Sequence, residues 1–331
     1  MFKEERFIEM YKGLKNDNSI STYKNPLKIL RSYFNFEMDE EVNLTSDQAE
    51  DFVYYLKTCG NYRASSINTM MTVYNEYYEY LVKKGDIKRN PFVATKKCSQ
   101  RKVIEDMKEK YICSVDELRR LSEAFNFEKG SLSKEFKIKR DKAIMSILAT
   151  SGTRQSILRK VTMDKMVRKG NMIILEIPKT MTKAKIPQRI VIANKCKSIF
   201  EDYLEVRDRI GFDTDLIFPT KSGKELNKTD MRDICTKAFK LAGIESKEAV
   251  TSPHTLRNSL ATIIATREDV SVPVIKTIFN WTPDQNNNLF ERYSMKDISA
   301  FDEKIAEITN ILWNNSWQYC KKMVNLNCKV N

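Results

Sequence analysis

Histidine is almost missing from this chain of 331 residues, which contains only His254. A single imidazole excludes any site built from several histidines, such as the His-Glu-x-x-His zinc proteases and the iron enzymes with a two-histidine facial triad. If the protein uses an imidazole for acid–base chemistry at neutral pH, His254 must supply it.

Paired cysteines and long apolar runs are missing as well. The seven cysteines are an odd number without a Cys-x-x-Cys pair, which indicates reduced thiols in a cytosolic protein rather than a disulfide framework or a zinc ribbon. The longest apolar runs, such as residues 143–149, are far shorter than the roughly 20 residues that a membrane span needs. Charged residues at 3–6 are unlike a signal peptide. We therefore expect a cytoplasmic protein.

Basic residues are in clear excess. Lys and Arg number 57 against 44 Asp and Glu, for a net charge of +13, and 41% of the residues are hydrophobic. This composition is typical of a soluble globular protein whose partner is a polyanion, with nucleic acid first, although charge alone does not separate it from a merely basic protein. Residues 1–105 carry 17 basic and 15 acidic residues, whereas residues 106–331 carry 40 and 29. The excess therefore lies in the second part.

The length is typical of two domains, and the first part has the pattern of an all-helical one. Apolar residues recur at helical spacing in four segments, 3–15, 20–36, 46–59 and 64–84. Thr45 with Gln48 predicts a capping box, Gly85 predicts a helix end, and we expect the many tyrosines and phenylalanines to form the core. A basic stretch without helical pattern, 95–102, follows a proline and predicts a linker.

The second part mixes helices with a small hairpin. Ser114 and Glu117 predict a capping box before a helix at 115–125. Two β-like runs, 172–177 and 190–192, flank a basic turn at 178–185 and predict an antiparallel hairpin. Further helices are predicted at 137–150, 194–210, 228–242, 254–267, 272–279 and 298–319. The fold class is therefore mainly α with a small antiparallel β-sheet.

Five residues together suit phosphoryl transfer from DNA. Arg154 follows a glycine at a helix end, and Arg257 follows His254 by three residues, so that the latter two share a face at a helix start. Arginines can bind phosphate oxygens bidentately and stabilise the charge of the transition state. The hydroxyl of Tyr293 can attack phosphorus, and a lysine in the hairpin turn can protonate the departing oxygen.

These motifs resemble the tyrosine recombinases of the phage integrase family. The resemblance rests on their order and spacing, and it covers nearly the whole chain. The matching segments are Gly152–Arg154, Pro178-Lys179-Thr180, His254-Thr255-Leu256-Arg257, Tyr293 and, in the first part, Thr22-Tyr23, residues 64–84 and residues 85–91. Each motif is weak alone, and their arrangement is specific.

The resemblance implies a role for each site residue. Arg154 and Arg257 would hold the scissile phosphate, and Tyr293 would be the nucleophile. Lys179 would be the general acid, although Lys183 and Lys185 lie in the same turn.

A histidine and a tryptophan complete the implied site. His254 would position the phosphate or assist proton transfer. Trp281 occupies the position of the family's second histidine, where an indole N–H can donate a hydrogen bond but cannot shuttle a proton.

The family also implies the architecture and the partners. A helical, SAM-like core-binding domain (1–94), a linker (95–110), a mixed α/β catalytic domain (111–297) and a C-terminal helix (298–331) would form a C-shaped clamp on DNA. The C-terminal helix would pack on its own domain or be exchanged between protomers. The protein would be a site-specific recombinase or integrase of a mobile element or chromosomal system. It would act as a homotetramer on duplex DNA, with accessory DNA-bending proteins and with no metal, ATP or other cofactor.

Three features depart from the family pattern. Ile157 stands where an acidic residue is usual, and Asn280 stands where glycine is usual. Tyr293 follows Trp281 by 12 residues instead of nine, and the usual spacing would place Phe290 at the nucleophile position. We assign the extra residues to the polar segment 283–288.

Two alternatives stay open beside the recombinase. A catalytically inactive DNA-binding protein could use the same scaffold, and a relaxase like the type IB topoisomerases could use the same residues without strand exchange. A metal-dependent nuclease is the least favoured, because no compact carboxylate cluster is seen in the sequence.

Overall fold

A computed structural model describes residues 3–12, 17–36, 43–106, 111–182, 185–244, 251–267, 269–281, 301–310 and 313. The chain divides into two compact units, Met1–Glu109 and Lys110–Asn331. None of the helices in the described residues is both long and apolar enough to cross a membrane.

The regular secondary structure in the described residues of the first unit is all helical, as predicted. Its helices are α1 (Lys3–Lys12), α2 (Asp17–Phe34), α3 (Ser46–Thr58), α4 (Ala64–Lys84) and α5 (Gln100–Glu105). The core is rich in aromatic rings, and Tyr74, Tyr77 and Tyr78 of α4 are at most 1% exposed. The expectation that these rings form the core is confirmed.

Local signals set the ends of two of these helices as expected. Thr45 and Gln48 form the capping box that begins α3, which satisfies backbone N–H groups that would otherwise lack partners. Gly85 ends α4 with φ of 78°, a left-handed conformation that costs glycine little.

The segment predicted as an unstructured linker is bound to the first unit. It contains the short helix α5, and the backbone of Cys98 exchanges two hydrogen bonds with the side chain of Asn68, at 2.7 and 3.1 Å. The carboxylate of Asp106 accepts from the backbone N–H of Ala64 at 2.8 Å. The sequence interpretation missed this structure because most of these partners lie about 30–40 residues away in the chain.

The second unit places helices around one small sheet. Its helices are α6 (Val115–Glu123), α7 (Leu132–Ser151), α8 (Gln155–Leu158), α9 (Asn194–Ile210), α10 (Lys228–Leu241), α11 (Pro253–Ala265), α12 (Val272–Phe279) and α13 (Asp302–Thr309). The strands are β1 (Met166–Lys169), β2 (Met172–Ile177) and β3 (Gln188–Ile192), in the order β1-β2-β3. The mainly α class with a small antiparallel sheet is confirmed.

The sheet has one strand more than predicted. β2 pairs with β3 in the expected hairpin, and Leu175 lies opposite Ile190. Leu175 also lies opposite Met166 of β1, which was missed because β1 has only four residues and no buried face. With a strand on each side, β2 is the central strand, and β2 and β3 carry the buried residues of the sheet.

Helix α7 passes through the core of the second unit and ends at Ser151, three residues before Arg154. It begins at Leu132, five residues before the predicted start, because Ser131 caps it by accepting from the backbone N–H of Lys134. Nearly all of its last half is buried, so its hydrophobic pattern has no polar face there.

The described part of the C-terminal segment packs on its own unit. Ile305 and Ile308 of α13 are 3% and 2% exposed within the core of the second unit. The side chain of Asn194 donates to the carbonyl of Ala306 at 3.1 Å. Residues 314–331 lie outside the described residues, so exchange of the tail between protomers stays a prediction.

Candidate active site

The turn after α7 brings the first arginine into the core of the second unit. Gly152 ends α7 with φ of 55°, and its N–H donates to the carbonyl of Leu148. A Cβ atom built on Gly152 would lie 2.5 Å from Cε1 of Phe279. Glycine is therefore required here both by the backbone conformation and by the close approach of a ring.

Arg154 follows this turn and is only partly exposed. Its Nη1 atom is buried without a hydrogen-bond partner in the described part of the chain, and burial lowers the pKa of its guanidinium. Ile157, which replaces the acidic residue usual in the resembling family, is 1% exposed in the hydrophobic core. Among the described residues, Arg154 thus keeps a partly desolvated cation, and Ile157 supplies no carboxylate to neutralise it.

Arg257 is held inside the unit by backbone carbonyls. It lies on α11, and its Nη1 donates to the carbonyl of Gly152 at 2.7 Å while its Nη2 donates to that of Phe279. The guanidinium also lies over the ring of Phe279, 5.3 Å from the centroid. These contacts fix the plane of the guanidinium and leave each terminal nitrogen a second N–H.

The positive charge of Arg154 disfavours the charged form of Arg257. Burial and then the charge of Arg154 lower the pKa of Arg257 to about 10. A partly buried cation that disfavours the charge of a buried one is costly unless an anion binds to them. The arrangement is therefore suited to a bound phosphate.

His254 lies in the first turn of α11, where the sequence placed it. Ser252 caps this helix by accepting from the backbone N–H of Thr255, and Pro253 occupies the first turn. Arg257 is 5% exposed, whereas His254 is exposed. The imidazole is thus at the solvent-facing start of a helix, where backbone N–H groups and the helix dipole favour an anion.

Trp281 directly follows the residues that hold Arg257. Its indole stacks on Phe279 with centroids 5.1 Å apart and is 42% exposed. The same phenyl ring thus contacts Gly152, Arg257 and Trp281. An exposed indole that shares this ring with Arg257 can donate its N–H to a phosphate oxygen.

The hairpin lysine is exposed on a short turn. Lys179 begins a 3-10 turn, 179–181, directly after β2. Lys185 has a positive φ of 56°, and Lys183 lies outside the described residues. The choice among the three lysines as general acid stays a prediction.

Tyr293 and Phe290 both lie outside the described residues. The assignment of the nucleophile, and of the extra residues at 283–288, therefore stays a prediction. Among the described residues, Arg257 bonds to Gly152 in the turn that leads to Arg154 and shares the ring of Phe279 with Trp281.

Sequence reasoning missed three residues that organise this site. Phe279 joins Gly152 to Arg257, although the sequence showed it only as the apolar end of a helix. The side chain of Asn280 donates to the carbonyl of Ile186, and that of Gln188 donates to the carbonyl of Ile278. Both residues are at most 3% exposed. The substitution of Asn280 for glycine has a physical reason, because its φ is 46° and asparagine tolerates this left-handed conformation.

No cluster of three or more His, Cys, Asp or Glu side chains that could hold a metal ion occurs among the described residues.

Comparison with known proteins is consistent with this geometry. Residues 115–296 match the model of the phage integrase family. The tyrosine recombinase XerC of Thermodesulfovibrio yellowstonii is 23% identical over 306 residues, covering 90% of this chain and 94% of the relative. The tyrosine recombinase XerD of Rickettsia bellii is 25% identical over 265 residues, covering 77% and 83%.

Solved structures share the fold. The site-specific recombinase XerH, bound to its palindromic difH substrate after cleavage, has a TM-score of 0.64 at 15% identity, covering 89% of this chain and 80% of that one. A lambda integrase dimer bound to a core site has a TM-score of 0.62 at 13% identity, covering 86% and 95%.

Proposed function

Because the chain belongs to the phage integrase family and is a DNA recombinase of that family, we propose that it cuts and rejoins DNA strands at a specific site through a 3′-phosphotyrosine on Tyr293. The observation that carries this proposal is the pair of arginines. Arg154 and Arg257 are close enough for one to lower the pKa of the other, and backbone carbonyls hold Arg257 in place.

In the first step, the two guanidiniums bind the nonbridging oxygens of the scissile phosphate. They stabilise the additional negative charge of the transition state, which a preformed site does without reorganisation. The Oη atom of Tyr293 gives its proton to water and forms a bond to phosphorus as the bond from phosphorus to the 5′ oxygen breaks. Lys179 gives the departing 5′ oxygen its proton.

In the second step, the 5′ hydroxyl of a partner strand attacks the phosphotyrosine. Lys179, neutral after the first step, takes the proton of the attacking hydroxyl as a new phosphodiester forms. The bond to the tyrosine oxygen breaks, and the phenolate takes a proton from water. Each step forms one phosphoester bond as another breaks, so the exchange needs no external energy source. His254 and the indole of Trp281 are suited to orient the phosphate in both steps.

We further propose a homotetramer acting on two DNA duplexes, with two rounds of single-strand exchange. A lambda integrase tetramer bound to a Holliday junction shares the fold of this chain, with a TM-score of 0.60. A DNA substrate also supports a cytoplasmic location. Accessory DNA-bending proteins remain part of the proposal.

A covalent-trapping experiment tests this function. Nicked suicide duplexes tiled across the DNA that flanks the encoding gene would be incubated with the protein and separated under denaturing conditions. We expect one site to give a protein–DNA adduct, with the DNA attached to the peptide containing Tyr293. Tyr293→Phe should abolish the adduct while leaving duplex binding unchanged, because only the hydroxyl is lost.

Three outcomes would contradict the proposal. Binding without an adduct at any tiled site would favour the inactive DNA-binding protein. An adduct that survives Tyr293→Phe would overturn the nucleophile assignment. Relaxation of a supercoiled plasmid without the site would favour the topoisomerase-like alternative.

A further inference from the structure

Both ends of the segment that carries Tyr293 are bonded to the same short stretch of the chain. The described structure reaches Trp281 and resumes at residue 301. Ile278 and Asn280, shortly before this interval, and Asp302, shortly after it, are hydrogen-bonded to residues 186–189, which lead into β3. We call this stretch the β3 anchor.

The upstream contacts are made by amide side chains. Asn280 Nδ2 donates to the carbonyls of Ile186 and Pro187 at 3.0 and 3.3 Å. Gln188 Nε2 donates to the carbonyl of Ile278 at 3.1 Å. Both amides are at most 3% exposed, so these hydrogen bonds are shielded from competing water.

The downstream contact is a buried ion pair. Asp302, the first residue of α13, is 0% exposed. Its Oδ1 accepts from Arg189 Nε and its Oδ2 accepts from Arg189 Nη2, both at 2.9 Å. Lys169 of β1 adds a third bond at 3.2 Å, and Arg189 also pairs with Glu176 of β2.

This bidentate pair is a strong and directional attachment. Planar guanidinium–carboxylate pairs fix orientation as well as distance. The carboxylate also lies at the start of α13, where the helix dipole favours negative charge. The pair therefore holds the beginning of α13 to the strand beside the hairpin lysines.

The upstream end is connected to the phosphate site as well. The carbonyl of Phe279, between Ile278 and Asn280, accepts from Arg257 Nη2. A displacement of this stretch would thus move both the arginine and the start of the tyrosine segment.

We infer that Gln188 and Arg189 of the β3 anchor, with Asn280 and Asp302, are positioning residues that set where the tyrosine segment begins and ends relative to the bound phosphate. The inference rests on the proposed function. Holding both ends of a segment reduces the number of conformations from which its tyrosine must attack. Small displacements of a reacting group cost much of the rate.

Each test variant removes contacts at one end of the tyrosine segment. Asn280→Gly deletes the two upstream hydrogen bonds that the Asn280 side chain donates, leaves the bond from Gln188 to Ile278, and keeps a residue that tolerates the left-handed backbone. Asp302→Asn removes the downstream charge, and Arg189→Lys keeps the charge but loses the two-pronged contact. The matched control is Arg168→Gln, which breaks the solvent-exposed pair between β1 and Glu201.

Each variant would be assayed on the nicked duplex that traps the unmodified protein. We expect Asn280→Gly, Asp302→Asn and Arg189→Lys to slow adduct formation at saturating protein by about tenfold or more, with unchanged duplex affinity. Arg168→Gln should cleave like the unmodified protein. The double variant Asn280→Gly/Asp302→Asn should lose less than the product of the single losses, because both contacts restrain the same segment.

A duplex with sulfur at the bridging 5′ position separates positioning of the tyrosine from positioning of the lysine. A thiolate leaves without protonation, so this substrate should restore cleavage to a variant of the lysine that serves as general acid. This substrate should not restore cleavage by Asn280→Gly. Restoration there would show that the anchor acts through the lysine and would overturn the inference.

The remaining outcomes are equally decisive. If the unmodified protein forms no adduct, the proposed function fails and this inference fails with it. If it forms one and Asn280→Gly matches its rate, only the inference fails. Thermal unfolding would be measured alongside, and if Asp302→Asn does not fold, Asn280→Gly and Arg189→Lys decide the question.

Discussion

The guanidinium of Arg257 is buried in the second unit, with backbone carbonyls as its hydrogen-bond acceptors. Its bonds to Gly152 and Phe279 and its position over a phenyl ring orient it without cancelling its charge. A carboxylate partner would hold the side chain equally well but would compete with a phosphate. The arrangement therefore favours an arginine ready for an anion over one that serves stability alone.

Arg257→Lys should impair cleavage far more than binding. Lysine retains the charge but cannot donate to both carbonyls and to phosphate in one plane. We expect the rate of adduct formation to fall roughly 100-fold, whereas duplex affinity, which depends on many phosphate contacts, should change little. Quantified adduct formation and a gel-shift titration would measure the two quantities. Arg209→Lys, at an exposed site, is the control, and unaltered cleavage by Arg257→Lys would contradict the assignment.

Gly152→Ala should destabilise the second unit and disturb the site. A methyl group would meet Phe279 at 2.5 Å on a backbone with φ of 55°, so the ring beneath Arg257 must move. We expect a loss of about 1–3 kcal/mol in the free energy of unfolding, measured by urea denaturation. Gly170→Ala is the matched control, since its φ is 54° and no atom lies within 4 Å of the added methyl. Equal losses in both variants would show that backbone conformation alone matters.

Helix α4 obtains its N-terminal cap from a distant part of the chain. Its own cap residue, Arg63, makes no side-chain cap hydrogen bond. Asp106, just after α5, accepts from the backbone N–H of Ala64 at 2.8 Å instead. One contact thus caps a 21-residue helix and fastens the end of the predicted linker to the first unit.

This cap should make the stability of the first unit depend on pH. The hydrogen bond from Ala64, followed by the charge of Lys102, lowers the pKa of Asp106 below its ordinary value of 3.8. A carboxylate with a lowered pKa stabilises the fold above its unfolded pKa, and this contribution is lost as the pH falls through the folded pKa. We expect Asp106→Asn to be less stable than the unmodified protein at pH 6.

The difference should shrink as the pH falls below about 4. Urea denaturation of both proteins across this range would test it, with Asp116→Asn as a control at another exposed carboxylate. A difference that is independent of pH would contradict the role of the charge.

Charge divides unequally between the two units of the whole molecule. Residues 1–109 carry 18 Lys and Arg against 17 Asp and Glu, whereas residues 110–331 carry 39 against 27. Each unit has its own hydrophobic core. The second unit therefore combines the arginine pair with nearly all of the positive excess.

The affinity of the second unit for DNA should depend more steeply on salt. Each phosphate neutralised by Lys or Arg releases counterions, so the slope of log K against log salt grows with the number of such contacts. We expect a fragment of residues 110–331 to show a steeper slope than one of residues 1–109. Fluorescence anisotropy across a salt series would measure both slopes after circular dichroism has confirmed folding. A steeper slope for residues 1–109 would place the main phosphate contacts in the first unit.

Local patterns predicted most elements of the fold. Helical periodicity predicted α3, α4, α9, α10 and α12 to within about a residue and α2 to within three, because apolar spacing and caps act within a few residues of the chain. The capping boxes at Thr45 and Ser114 were predicted for the same reason. Strand β1 and helix α5 were missed, because their partners lie in other elements and leave no local pattern.

The sequence by itself determined the helical class of the first part, the hairpin, and the arginines that flank a glycine turn and a helix start. It did so because periodicity, caps and motif spacing are properties of neighbouring residues. Only the tertiary structure decided that Phe279 joins Gly152, Arg257 and Trp281, and that residues 186–189 hold the chain on both sides of Tyr293. These relations depend on contacts between residues about 20 to 130 positions apart, which packing of the whole unit creates.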